Sequence, residues 1–193
     1  MTLPENQIVQ GDCVQILKTL PSASIDLVVT DPPYLVNYRD RSGRTIKNDS
    51  GDGAFLAAFS DAYRVLKPNS FCVSFYGWNR VDEFFSAWRR AGLRPVGHIV
   101  WQKDYSSSSG FLQYQHEQAY LLVKGNPDRP AKPIADMRTW QYSGNRTHPT
   151  EKAVSILRPV IQAFSKPRKV YRRNRSKKEG SGTRIFCSVS PIS

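Results

Sequence analysis

The chain has 193 residues, a length that suits one domain with a small appendage. Hydrophobic residues make up 39% and charged residues 23%, a balance that excludes a wholly disordered or fibrous protein. The net charge of +12 is uneven: residues 166–193 carry nine Lys or Arg and one acid, whereas the first 165 residues carry 19 bases and 15 acids. The body is therefore only mildly basic, and the tail carries most of the positive charge.

No apolar run approaches the roughly 20 residues that a membrane-spanning helix needs, and the N-terminus lacks the pattern of a secretory signal. The three cysteines and the three histidines are widely separated along the chain. Such spacing indicates neither a disulfide framework nor a thiolate zinc site. The composition predicts a cytoplasmic, reduced protein with no metal and no membrane partner.

The first predicted strand covers residues 25–30, a β-branched run that ends abruptly at Asp31-Pro32-Pro33. A helix over 54–66 follows and is stopped by Pro68. The later predicted elements are a strand over 71–76, a helix capped by Asn79 and ended by Gly92, strands over 96–101 and 118–124, and a helix that starts at Pro149.

Alternation of strands and helices predicts an α/β fold, a mostly parallel sheet covered by helices. The last two strands have no helix between them, so we expect them to be antiparallel neighbours. Polar, turn-rich segments over 38–53, 102–116 and 125–147 are predicted loops.

The turn after the first strand has unusual chemistry. Two prolines leave no backbone donors, so Asp31-Pro32-Pro33 presents only acceptors, namely a carboxylate and nearby carbonyls. Such a loop suits a substrate amine with two N–H donors, and Tyr34 offers a flat ring for a base. We expect the Asp31 carboxylate to be exposed at the strand end. The alternative is a simple turn without a ligand.

In these motifs the sequence resembles the amino-directed DNA methyltransferases, which use S-adenosylmethionine. Asp31-Pro32-Pro33-Tyr34 after a buried strand is the signature of the adenine-N6 members. The other matching segments, in the family's order, are Gly11-Asp12-Cys13, Leu17, Leu20-Pro21, Ile25-Asp26-Leu27, Trp101-Gln102-Lys103, His116-Glu117 and His148-Pro149-Thr150-Glu151-Lys152. This order is similar to the circularly permuted β group, and the match covers about residues 6 to 167.

The resemblance implies a Rossmann-like, S-adenosylmethionine-dependent sheet with helices on both faces, acting on double-stranded DNA. Asp31, Pro32, Pro33 and Tyr34 would be catalytic. Asp31 and the Pro32 carbonyl would accept bonds from the adenine amine and orient it toward the methyl group, while Tyr34 would stack on the base after it leaves the duplex.

The resemblance also implies a cofactor set of Asp12, Cys13, Asp31, Thr150 and Lys152. Asp12 would bind the adenine amine of the cofactor, and Thr150 and Lys152 would line its methionine end. Two of these assignments have alternatives: Asp12 caps the following turn, and Thr150 with Glu151 satisfies free N–H groups at a helix start. We interpret His116-Glu117 as polar residues at a strand start, without a ligand.

The resemblance stops after Lys166-Pro167. The family continues with an apolar strand and a glycine loop, whereas residues 168–179 are too charged for a buried strand. We therefore expect residues 1–167 to be the methyltransferase domain, with target-recognition loops in 102–147, and 168–193 to be a basic, disordered or aberrant tail from truncation or a frameshift. The sheet would then be incomplete at its C-terminal end, with a weakened cofactor pocket and self-association through the unpaired edge of the first strand.

The resemblance leaves three functions open. The first is an adenine-N6 DNA methyltransferase, inactive as written if the glycine loop is essential. The second is a non-catalytic DNA-binding protein derived from such an enzyme. The third is an N4-cytosine DNA methyltransferase, which Asp31 in the first motif position disfavours.

Overall fold

The computed structural model describes Val9 and residues 11–36, 54–107, 110–142, 152–165, 168–169, 179–180 and 184–188. The helices are α1 (Cys13–Thr19), α2 (Ala58–Val65), α3 (Val81–Ala91) and α4 (Val154–Phe164), with short 3-10 helices at Ala54–Ala57 and Trp78–Arg80. The strands are β1 (Ile25–Asp31), β2 (Leu66–Phe75), β3 (Arg94–Gln102), β4 (His116–Lys124), β5 (Met137–Thr139), β6 (Arg168–Lys169), β7 (Glu179–Gly180) and β8 (Arg184–Ser188).

Six of the strands form one mixed sheet in the order β5-β3-β4-β2-β1-β8. β4 runs antiparallel to both β2 and β3, whereas β1 is parallel to β2 and β8, and β5 is parallel to β3. The antiparallel pairing of β3 and β4 is confirmed. Within this sheet, every strand except β4 therefore has its carboxyl end at the same edge, which we call the carboxyl edge.

Helices cover both faces of the sheet, as predicted. On one face, α1, α2 and α3 pack against Ile25, Val28 and Cys72. On the other face, α4 packs against Leu27, Val29 and neighbouring strand residues. β1 serves both cores because successive side chains of a strand point to opposite faces. This burial explains the continuous apolar pattern of the strand.

Several predicted boundaries are wrong. Asn79 does not cap α3; it lies inside the preceding 3-10 helix, and Arg80 is the N-cap residue without a side-chain cap bond. Gly92 does end α3, with a φ of 88° that favours glycine. α4 begins at Val154 rather than at Pro149, because Lys152 and Ala153 are still extended or irregular. Pro149 itself and the predicted loop over 38–53 lie outside the described residues.

The predicted unpaired edge at β1 is wrong. β8 pairs with β1 in parallel, from Leu27 opposite Arg184 to Asp31 opposite Ser188. β6 and β7, which precede β8 in the chain, pair only with each other among the described strands. Residues after α4 thus supply the neighbour that β1 needs, although the charge pattern before them gave no sign of it.

Ending the chain after Thr183 should destabilise the fold and cause self-association, because β1 would lose its β8 partner and expose unpaired backbone groups. Light scattering after size exclusion and thermal unfolding would measure the two effects. A control that ends after Ser188 keeps β8 and should behave as the full chain does. If the two shortened chains are equally stable and monomeric, the β1–β8 pairing does not contribute to the fold.

Candidate active site

The candidate site forms where β1 ends at the carboxyl edge. Asp31 is the last residue of β1, and its exposure is only 8%. The expectation of an exposed carboxylate is therefore wrong, because Asp31 is buried together with the residues of the turn that follows it. Pro32, Pro33 and Leu35 are also buried, and Leu35 has a φ of 60°, an unfavourable backbone conformation for a leucine. Packing around the turn holds this strained geometry in place.

Both oxygens of the Asp31 carboxylate already accept hydrogen bonds. The Lys152 ammonium donates to Oδ2 at 3.0 Å, and the Tyr34 hydroxyl donates to Oδ1 at 3.1 Å. The Lys152 side chain is only 4% exposed. A buried cation and a buried hydroxyl thus converge on the carboxylate that the family resemblance predicts to be catalytic.

A second carboxylate completes the arrangement. Glu117, near the start of β4, accepts a bond from the Lys103 ammonium at 2.6 Å through Oε1. Its Oε2 accepts from the Tyr34 hydroxyl at 3.3 Å and lies 3.9 Å from the Lys152 ammonium. Asp31, Tyr34, Lys103, Glu117 and Lys152 therefore form one connected group, which we call the buried charge cluster.

Aromatic rings line the two ammonium groups. The Lys152 ammonium lies over the rings of Tyr34 and Phe75, 5.5 and 5.2 Å from their centroids. The Lys103 ammonium lies over Trp140 at 5.2 Å. Ring faces carry partial negative charge and attract cations, which offsets part of the cost of removing the ammonium groups from water.

The protonation states follow from burial and from the opposite charges. Burial raises the pKa of Asp31, against the opposing attraction of Lys152. Burial disfavours the charged forms of Glu117 and Lys152 as well, but there the opposite charges outweigh it. The pKa of Glu117 is lowered by Lys152 and Lys103, and the pKa of Lys152 is raised by Asp31 and Glu117. Burial and the two carboxylates raise the pKa of Tyr34, so its hydroxyl stays a donor.

The structure describes some of the residues that were predicted to bind the cofactor and not others. Asp12 caps α1, because its Oδ1 accepts from the backbone N–H groups of Val14 and Gln15 at 2.8 and 3.2 Å. The capping alternative is thus confirmed, and the exposed carboxylate keeps Oδ2 for an external donor. Cys13 is half-buried beside it. Thr150 lies outside the described residues.

Sequence reasoning missed the part played by Lys103 and Glu117. Both residues stood in segments with a family resemblance, yet no local pattern indicated that they pair with each other or with Tyr34. Glu117 is only 19% exposed on its side chain and is not a solvent-facing residue of a strand start. One signal could have indicated their contact. Lys103 directly follows β3 and Glu117 is the second residue of β4, and the end of one strand lies beside the start of its antiparallel neighbour.

Chemically, the site can receive a nitrogen donor. The Lys152 ammonium shows where a nitrogen can sit: on a buried carboxylate oxygen and over an aromatic face. A neutral amine with two N–H groups would meet the same acceptor and the same ring. No nucleophilic side chain with an adjacent base is present in this cluster, so the arrangement fits orientation and electrostatic stabilisation rather than covalent catalysis.

Comparison with known proteins gives a consistent result. The N6/N4 DNA methylase family matches residues 25–171 of the chain. The protein YubD of Escherichia coli K12, whose name describes it as a methylase, is 51% identical over 162 residues, which are 84% of this chain and 71% of that protein.

Two solved structures share the fold. The complex of M1.HpyAVI with S-adenosylmethionine has a TM-score of 0.62 at 18% identity, over 83% of this chain and 78% of that one. The cytosine-N4-specific PvuII DNA methyltransferase has a TM-score of 0.63 at 15% identity, over 81% of this chain and 69% of that one. The predicted fold class, an α/β sheet of the S-adenosylmethionine-dependent methyltransferase type, is confirmed.

Replacing Lys152 with Met should destabilise the protein by about 3–5 kcal/mol at neutral pH, because Asp31 would remain buried without its cation. The loss should shrink as the pH falls, since protonation of Asp31 and Glu117 removes the uncompensated charge in the folded state. Urea unfolding at several pH values would measure both effects.

The matched control is Lys67→Met. The Lys67 ammonium also bonds a carboxylate, Asp26 at 2.6 Å, but the two side chains are 43% and 29% exposed. Its removal should cost no more than about 1 kcal/mol. Equal losses for the two variants at every pH would show that the Lys152–Asp31 contact is no stronger than a surface ion pair.

Proposed function

The chain belongs to the N6/N4 DNA methylase family, and from that membership we propose that it transfers a methyl group from S-adenosylmethionine to the exocyclic N6 amine of adenine in duplex DNA. Asp31, Pro32, Pro33 and Tyr34 form the catalytic turn. Beyond the family itself, we thus propose the target base and the roles of individual residues.

One observation carries the proposal: the buried Asp31 carboxylate holds a nitrogen donor, the Lys152 ammonium, at 3.0 Å. The same ammonium covers the Tyr34 ring, the surface assigned to the target base. One nitrogen thus contacts both the acceptor and the ring that we assign to the target base, and this supports the assignment of the pair to an exocyclic amine.

Catalysis by these residues is positioning. Asp31 and the Pro32 carbonyl would accept the two N–H bonds of the amine, so that the nitrogen lone pair points away from both acceptors. S-adenosylmethionine, when bound, supplies the electrophilic methyl group. Methylation leaves the nitrogen with one proton too many, and Asp31 is the nearest carboxylate that can accept it. Burial raises the pKa of Asp31, which suits that task.

Binding of the amine requires Lys152 to leave the Asp31 oxygen. Glu117 Oε2 lies 3.9 Å from the Lys152 ammonium and can receive it after a small movement. The charge of Lys152 then stays paired within the cluster, so no buried cation is left without a partner. Glu117 is thus a positioning residue that acts through Lys152 and through the Tyr34 hydroxyl.

The cofactor would be held by Asp12, Cys13, Asp31, Thr150 and Lys152. Asp12 keeps one carboxylate oxygen for the adenine amine of the cofactor, and the half-buried Cys13 lies beside it. Thr150 and Lys152 stay in the proposal as residues at the methionine end. These donors and acceptors fit a ligand with an amine at one end and an amino acid at the other.

The N4-cytosine alternative concerns the same site. Cytosine N4 is also an amine with two N–H groups, and a carboxylate acceptor accommodates either base. We favour adenine because the motif carries Asp31 with Tyr34 in the adenine-type signature. Analysis of the methylated nucleoside would distinguish the two products directly.

We assign target recognition to loops within residues 102–147 of a catalytic domain over 1–167. The basic segment 168–193, which follows this domain, would add further DNA contacts. The first 165 residues are mildly basic and the remainder strongly so. Phosphate contacts from the tail would contribute sequence-independent affinity that falls with salt. Of the described helices, none is long and apolar enough to cross a membrane.

Asp31→Asn should lower methyl transfer by about 10²–10³-fold, because the substitution keeps the side-chain shape and removes the charge that orients the amine. The assay is transfer of labelled methyl groups to unmethylated genomic DNA, followed by nucleoside analysis for N6-methyladenine and N4-methylcytosine. Asn is preferred to Ala because it keeps the side-chain volume and an oxygen that can still accept a hydrogen bond from Lys152.

Asp26→Asn is the matched control. It changes the same residue type on the same strand, at a half-exposed position that pairs with Lys67, and should leave transfer unchanged. Full activity of Asp31→Asn would refute the catalytic assignment. A wild-type chain that binds DNA but transfers no methyl group would instead support a non-catalytic DNA-binding protein.

A further inference from the structure

The exposed aromatic side chains are gathered at the carboxyl edge. In the part of the chain that the structure describes, the exposed ones are Trp78, Tyr105, Phe111 and Tyr142. Trp78, Tyr105 and Tyr142 each follow the end of a strand by three residues, and Phe111 lies in the loop between β3 and β4. Asp31 ends its strand at the same edge. Solvent-exposed rings are thus concentrated around the buried charge cluster.

Trp78 is fixed in position beside the catalytic turn. A Cβ on the preceding residue, Gly77, would lie 2.7 Å from the Tyr34 carbonyl oxygen, so only glycine permits this close approach. The Trp78 indole is 55% exposed and stacks on the Tyr114 ring, with centroids 5.6 Å apart and planes 19° apart. One indole face is therefore supported, and more than half of the side-chain surface remains in water.

The neighbouring loop holds an apolar tip in solvent. Backbone bonds from Lys103 to Gln115 and from Ser107 to Tyr114, at 2.8 and 2.9 Å, close the loop at its base. Phe111 and Leu112 at the tip are 105% and 69% exposed. Exposure of two large apolar side chains on an anchored loop is unfavourable in water. Such a pair indicates a surface that is covered when a partner binds.

We propose that Trp78, supported by Tyr114, is a stacking platform for an unpaired DNA base, and that Phe111 and Leu112 enter the base stack beside it. The inference rests on the proposed function and names the DNA-contacting residues of that site. Aromatic faces stack on any base, whereas apolar tips inserted between base pairs favour unstacking. The location beside Tyr34 would place a displaced base within reach of Asp31.

A nucleic acid fits this surface better than a second protein chain does. The rings at this edge include two contacting pairs, Trp78 on Tyr114 and Tyr105 against Tyr142, with centroids 5.6 and 5.7 Å apart, and flat rings of this kind stack on bases. The chain has a net charge of +12, of which residues 166–193 carry +8 and the first 165 residues +4. Phosphates would supply the long-range attraction, and the rings would supply the salt-independent part of the binding.

The test uses the fluorescence of the full chain. Of the four tryptophans, Trp88 and Trp101 are 0% exposed and Trp140 is 8% exposed, so Trp78 is the one that a ligand in solution can reach. Titration with a mixed-sequence single-stranded oligonucleotide should quench the emission to saturation. Trp78→Ala should remove this quench and weaken binding by about 5- to 100-fold, while Trp78→Phe should lose the quench and keep most of the affinity.

The loop tip is tested with a duplex that contains one mismatched pair. Phe111→Ser with Leu112→Ser should weaken binding to this duplex and leave the slope of affinity against salt unchanged, because no charge is lost. Val96→Ser, which alters a 44% exposed residue of β3, is the control and should change affinity less than twofold.

Absence of the quench in the wild-type chain, or equal affinities for wild type and Trp78→Ala, would overturn the proposal. Loss of self-association in Trp78→Ala with unchanged DNA affinity would do so as well, since the surface would then join two copies of the chain. The titrations need neither cofactor nor turnover. A chain that shows the quench but transfers no methyl group would therefore retain this surface and lose the proposed activity.

Discussion

The ion pair between Lys152 and Asp31 is the contact on which the candidate site depends. It joins the residue that ends β1 to a residue 121 positions later, at the approach to α4. Both side chains are more than nine-tenths buried. Loss of either side chain would leave the other buried with weaker pairing, so this contact joins the approach to α4 to the end of β1.

Glu117 and Lys103 extend this constraint across the sheet. The cluster contains two carboxylates and two ammonium groups, so its formal charges balance when all four are ionised. Tyr34 bridges the carboxylates with a single hydroxyl, which links the turn after β1 to the start of β4. Under the proposed function, a substrate amine would enter a site in which the Asp31 carboxylate already holds a nitrogen. Its arrival would displace Lys152 toward Glu117.

Local patterns predicted the elements that carry continuous burial. Elements whose side chains are buried in one or both cores have an apolar periodicity, and this periodicity predicted β1, α2, α3, β3 and β4. α1 was missed because seven residues with one buried leucine give no periodic signal. β5 was missed because three residues are also too few for a periodic signal. β8 was missed because it follows a run of charged residues that does not predict a buried strand. A short motif predicted Asp31 and Tyr34 as site residues, and the structure brings their side chains into contact. Their contacts with Lys152 and Glu117 were not predicted, because pairs separated by 83 to 121 positions depend on the tertiary fold.

The most direct test of this account is the fate of the Lys152 ammonium when a base enters the site. Buried, ion-paired ammonium groups can be followed by nitrogen-proton correlation spectra, with Lys152→Met to assign the signal. Addition of DNA with a cofactor analogue should shift the Lys152 resonance, because the ammonium loses its hydrogen bond to Asp31. The shift should be smaller in Glu117→Gln, because that variant lacks the carboxylate that would receive the ammonium. A Lys152 signal that stays unchanged while the DNA is bound at Trp78 and Tyr34 would contradict the account, because the amine would then not have taken the Asp31 oxygen.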